Sequence, residues 1–147
     1  MVTGEQVKIG RYQAYFEAPA LLVVALEGVI QDGENAQFMR DLAAAQEVLG
    51  VRDVIVDMRM LKDMTPGARK ELVHTRGPEL ERVAMYGAGY TMGQVMRMLY
   101  RAGRILRPGF FNYDFDVFSN EHQARDWLAK RPAEQRSPQR SAEQHAA

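Results

Sequence analysis

Three apolar runs of strand length, each followed by residues at helical spacing, restrict this chain to a sheet with helices packed on it. The runs are Ala20–Leu26 (ALLVVAL), Asp53–Met58 (DVIVDM) and Arg82–Tyr86 (RVAMY). Nearly continuous apolarity over so few residues is what a strand buried on both faces requires. After the first run, Asp32-Gly33-Glu34-Asn35 opens a helix. Phe38, Met39, Leu42, Ala45, Val48 and Leu49 recur along it at helical spacing, and Gly50 stops it. After the second run, Thr65 caps a helix whose first position is Pro66, where a missing N–H costs nothing. This helix reaches about Arg76 and ends at Gly77-Pro78. After the third run, Gly87-Ala88-Gly89 leads tightly into a long helix over Thr91–Leu106. Tyr113–Phe118 (YDFDVF) alternates strictly, as a strand with one polar face does, and Ser119-Asn120-Glu121 caps a last helix through Trp127 and Leu128. Val7–Phe16 reads as a single aromatic edge strand, turned at Glu17-Ala18-Pro19 into a hairpin with the run that follows. The expected fold is α/β: a mixed, mostly parallel five-stranded sheet with right-handed crossovers and about four helices.

Residues 1–130 are expected to form one domain, since 147 residues suffice for one substantial core. Arg131–Ala147 holds no large apolar residue and is expected to be a disordered tail, because it buries too little surface to offset its ordering entropy. Nineteen basic residues balance nineteen acidic ones, so overall charge gives no reason to expect nucleic-acid binding. The absence of cysteine excludes disulfides, thiol catalysis and thiolate metal sites. Met1–Lys8 lacks the apolar run of a signal peptide, and the longest apolar stretch, Ala18–Leu26, is about half of what a membrane-spanning helix needs. A cytoplasmic protein is expected, with any membrane contact confined to the surface. The apolar edge at Tyr12–Phe16 would also suit a homodimer, because exposed edges invite partners.

Catalytic candidates are sparse, and no cofactor is expected. His74, His122 and His145 show no ligand spacing, so no metal site is expected. Ser119 reads as part of a helix cap, and there is no Gly-x-Ser-x-Gly. Gly87 to Gly93 follows a strand and opens a helix like a dinucleotide turn. Its third glycine comes one place late, however, and a plain tight turn explains it. Asp57, Asp63, Asp114 and Asp116 form a loose acidic set, of which Asp57 and Asp63 lie where parallel sheets bind ligands, with Arg59 and Lys62 between them to balance their charge. An enzyme would have to rely on one of these two features.

The long helix is more informative. Met92, Val95, Met96, Leu99, Ala102, Gly103 and Leu106 fall on one face, and Arg97, Arg101 and Arg104 on the other, with Arg107 flanking. Two readings stand. One is a core-packing helix with a solvated basic face. The other is a helix whose arginines meet anionic lipid headgroups while Met92, Met96 and Leu99 form an adaptable lid over an apolar pocket.

The stretch VRDVIVDMRMLKDMTPGARKEL, Val51–Leu72, resembles a STAS domain, the fold of anti-sigma-factor antagonists, in which a buried strand runs through a loop into a helix. From about Val7 to Lys130 the chain is similar to the SpoIIAA-like branch, whose fold is similar to CRAL-TRIO lipid-binding domains; the ending YDFDVFSNEHQARDWL carries that likeness. The resemblance implies a non-enzymatic regulatory module with a protein partner, a kinase or a regulator, at the loop Asp63, Thr65, Pro66 and Gly67. In phosphorylated STAS proteins that loop carries a modified serine. Here Met64 stands in its place, and Thr65 is the nearby hydroxyl. A phosphate on Thr65 would sit at a helix N-terminus, a favourable anion position, yet the same hydroxyl serves as the cap. The CRAL-TRIO likeness implies the alternative, a carrier of a lipid or small apolar ligand at a membrane surface.

Overall fold

The computed structural model describes residues 5–107, 109 and 113–130. The expected tail at 131–147 lies outside the described residues. The chain runs β1 (Glu5–Ile9), β2 (Tyr12–Glu17), β3 (Leu21–Ile30), α1 (Glu34–Leu49), β4 (Asp53–Met64), α2 (Pro66–His74), β5 (Arg82–Tyr86), α3 (Tyr90–Leu106), β6 (Asp114–Phe118) and α4 (Glu121–Ala129). The strands lie side by side in sequence order. β1, β2 and β3 pair antiparallel; β3 through β6 pair parallel.

The sheet has six strands rather than the expected five. Val7–Phe16 is not one strand but two, because Gly10 adopts a left-handed φ of 62° and folds the chain back so that Ile9 faces Tyr12. Only glycine enters that region without strain, and the aromatic content of the segment hid the turn.

β3 and β4 also run further than their apolar runs. β3 continues through Gly28 to Ile30, and β4 through Asp63 to Met64, pairing with register shifts on the way. Ile30 and Met64 are both buried, so the extension closes one end of the core. Asp63 is therefore a strand residue and not a loop residue.

Alternation assigns each strand residue to a face. Leu22, Val24, Val54, Val56 and Val83 point to the face covered by α1, α2 and α3. Ile55, Ala84 and Tyr86 point to the other, which α4 covers through Ala124, Trp127 and Leu128. One face thus carries three helices and the larger core. The other carries a single short helix.

Candidate functional site

The junction of α2 with the turn before α1 is built from residues far apart in sequence. Thr65 caps α2 by accepting a hydrogen bond from the Ala68 N–H, 3.1 Å, while its own hydroxyl donates to the Asp32 carboxylate. Glu71 reaches back from α2 to the N–H groups of Gly33 and Ala36. It satisfies donors at the start of α1 that Gly33, the residue at its N-cap, has no side chain to satisfy. Buried Asn35 donates to the Ala68 carbonyl, 2.8 Å. Asp63 accepts from the Met64 N–H and the Arg69 guanidinium, which together hold its carboxyl below the ordinary carboxylate range. Pro66 is exposed. Gly67 lies under Asp32: a Cβ there would fall 2.5 Å from the carboxylate carbon.

The four residues expected at this loop are therefore together. Asp32, Asn35 and Glu71, which complete the junction, escaped the sequence reading because Asp32 and Asn35 looked like ordinary helix-opening residues. The available signal was Gly67 itself, a glycine in a helical first turn, where a close approach is the common physical reason.

Between α1, α2, α3 and the sheet lies an apolar cavity of about 100 Å³. Met96 and Leu99 line it together with Phe38, Leu42, Val56, Leu72 and Phe115, and Thr75 is one of its few polar neighbours. Met92 packs against the core without lining the cavity. As it stands the space suits a small ring or short alkyl group. A longer chain needs the flexible side chains of Met39, Met85 and Met96 to shift.

The arginines of α3 have different surroundings. Arg97 donates to the Val117 carbonyl, 2.9 Å, and pairs with Asp116, 3.3 Å. Arg104 donates to the Tyr100 hydroxyl, 2.6 Å, which itself donates to the Tyr113 carbonyl. Arg107 donates to the Val73 carbonyl at the end of α2. Arg101 is exposed and has no hydrogen-bond or ion-pair partner among the described residues. The buried side of α3 centres on Gly93, Met96 and Gly103. Ala102 and Leu106 lie off it and are exposed, contrary to the sequence wheel. At ~100° per residue Leu106 falls roughly 80° from Met96.

On the opposite face of the sheet, Asp57 is bound by the Arg59 side chain and backbone, and beside it lies the Tyr86 hydroxyl, which donates to Glu121, 3.4 Å. Burial pushes its carboxyl up, but these hydrogen bonds outweigh that and hold it below its ordinary 3.8. Tyr86, buried and beside this carboxylate, is pushed up to about 12. Arg59 thus matches Asp57, as the sequence spacing anticipated, whereas the charge of Asp63 is met by Arg69 and not by Lys62. Gly87 turns with φ 81° directly against Arg59, so close backbone approach explains the first glycine of the turn before α3. His122 pairs with Asp126 on the solvent side of α4. Among the described residues no three His, Asp or Glu side chains are placed to hold a metal ion. No described helix is long and apolar enough to cross a membrane.

Arg125 fastens α4 to the sheet through Glu17 on β2, 3.0 and 2.8 Å, and is itself held by Glu121 one turn earlier in α4, 2.8 Å. The Arg125 hydrogen bond lowers Glu17 below its ordinary 4.5. A depressed carboxylate contributes stability that is present above its unfolded pKa and lost as pH falls through its folded pKa. We expect α4 to loosen as pH falls through the carboxylate range below the ordinary 4.5 of Glu17, where this lowered carboxylate takes up its proton. Trp127, the single tryptophan, packs on Phe118 at 5.4 Å and reports the change. Its emission should shift to the red through that acid window. Arg125→Gln should weaken the attachment by about 1 kcal/mol at neutral pH and flatten the acid response. An unchanged acid response in the variant would contradict this.

No protein-family model and no curated protein matches the sequence. Among solved structures, the chain is similar to an uncharacterized protein of the DUF3478 family with a SpoIIAA-like fold, from Shewanella loihica PV-4. The TM-score is 0.53 at 21% identity, over 80% of this chain and 91% of that one. The chain, with its antiparallel hairpins leading into a parallel sheet in sequence order, therefore has a SpoIIAA-like fold.

Proposed function

We propose that the chain is a non-enzymatic STAS-like interaction module whose partner face is the junction of α2 with the β3–α1 turn. The observation that carries this reading is the position of one hydroxyl. Thr65 caps α2 and holds Asp32 at the same time, so a change at that atom alters both elements. Exposed Lys62, Asp63, Pro66, Arg69 and Lys70 surround it and offer a partner charge of both signs. A phosphate on Thr65 would face Asp32, and repulsion between like charges would release the turn. A kinase or a regulator reading the two states is the partner this implies, in a cytoplasmic setting.

The test is affinity capture from source-cell lysate with wild type, Thr65→Asp and Gly67→Ala. Aspartate keeps the cap but repels Asp32. Alanine displaces Asp32 sterically while improving helix propensity, so the fold is kept. A protein retained by wild type should fall at least about tenfold, or 1.4 kcal/mol, with both variants. Equal retention by all three would contradict the reading.

The cavity favours a second reading, a carrier of a lipid or small apolar ligand of the CRAL-TRIO kind. Met96 and Leu99 line an almost wholly apolar space, as a lid of α3 would require. An environment-sensitive apolar dye should bind with a stoichiometry of about one, and Leu99→Trp, which fills the space, should abolish binding. Undiminished dye binding by that variant would contradict it.

A further inference from the structure

α3 carries four of the large apolar side chains that the described residues leave exposed. Tyr90 is 83% exposed, Met98 67%, Ile105 76% and Leu106 76%. Met98 and Ile105 are two helical turns apart and share one stripe, with Arg101 between them. This outward stripe differs from the line of arginines that the sequence suggests. Arg97 and Arg104 bend toward β6 and Tyr100, which leaves Met98, Arg101 and Ile105 as the outermost residues.

The charge of the helix narrows what can cover it. Tyr90–Leu106 contains no acidic residue and three arginines, and Arg107 follows immediately. Two copies packed face to face about a two-fold axis would place Arg101 against Arg101, which opposes self-association. The surface needs an occupant that is apolar and anionic over the same ~10 Å of helix. An acidic bilayer surface is both, with phosphates at the height of the arginines and acyl chains beneath them.

We propose that the outer face of α3 docks this protein on an anionic membrane surface. Met98, Ile105 and Leu106 enter the headgroup layer, and Arg101 pairs with lipid phosphate. The docking deepens the carrier reading and rests on it only for why a membrane would be visited. The two are separable, because dye binding reports the cavity and vesicles report the outer face.

The test is flotation of the full chain with phosphatidylcholine vesicles and with vesicles that also contain phosphatidylglycerol, at low and moderate salt. Wild type should float only with the anionic vesicles, and less as salt rises. Met98→Gln/Ile105→Gln should reduce partitioning at least about tenfold, and Arg101→Gln about fivefold. These side chains are exposed, so melting temperatures should be unchanged, which separates lost docking from lost folding. Absence of wild-type flotation would overturn the proposal. So would equal flotation of the double variant, or a concentration-dependent dimer that the double variant abolishes.

Discussion

Replacing Arg82 with methionine should destabilise the fold by about 3–5 kcal/mol, the characteristic loss when one partner of a buried ion pair is removed. Arg82 opens β5 with only 6% of its surface exposed. Its guanidinium meets both oxygens of Asp53, the neighbouring residue of β4, at 3.3 and 2.8 Å. Its remaining nitrogen donates to the Leu128 carbonyl, 2.6 Å, at the end of α4. One side chain thus ties two strands to the helix of the thinly covered face. Methionine fills much of the volume but leaves Asp53 charged without its partner. Thermal unfolding should occur about 10 °C lower, given the usual conversion for a chain of this size. Asp53→Leu combined with Arg82→Met should recover a large part of the loss, because the uncompensated charge is then gone. Additive losses in the double variant would show that the pair itself is not the cause.

Gly87→Ala should cost about 2–3 kcal/mol by two effects that act together. The residue has φ 81°, where a side chain is strained in any surroundings. Its Cβ would also lie 2.4 Å from Arg59 Cγ, and 3.2 and 3.4 Å from the Arg59 backbone N and Cα. The side chain of Arg59 can swing away only by giving up Asp57, and its backbone is held in β4. Gly89→Ser is the matched control. Gly89 has φ −62° and open space around it, and serine is a better N-cap for α3. That variant should be neutral or slightly stabilised by chemical denaturation. Equal losses at both positions would mean that the turn tolerates no side chain for some other reason.

The parallel part of the sheet was legible because ALLVVAL, DVIVDM and RVAMY are apolar on both faces, and the structure covers both faces of β3, β4 and β5. Thr65-Pro66 gave the start of α2 for a local reason, a cap and a proline that act within one turn. The β1–β2 hairpin was not legible. Its turn rests on the left-handed φ of Gly10, and neighbouring Arg11 carries no turn signature. The late extension of β4 to Met64 was hidden for a different reason. Arg59, Lys62 and Asp63 are charged, and their pairing is set by β3.

The same distinction divides the candidate site. Thr65 announced itself by capping. Asp32 and Glu71 did not, because their partners are 33 or more residues away and become neighbours only when α1 and α2 pack. The wheel of α3 placed Met96 and Gly103 on the buried side but wrongly added Ala102 and Leu106, and it misjudged the outer face. It cannot show that Arg97 and Arg104 fold back onto β6 and Tyr100.

In the proposed switch, Thr65 controls whether the turn before α1 stays docked on α2. Amide hydrogen exchange on wild type and Thr65→Asp, at equal global stability, tests it most directly. Release of Asp32 should raise exchange over residues 33–37 by at least about tenfold, while β4, β5 and α4 keep their protection. Unchanged protection over residues 33–37, or a uniform loss across the whole sheet, would contradict a local switch at this junction.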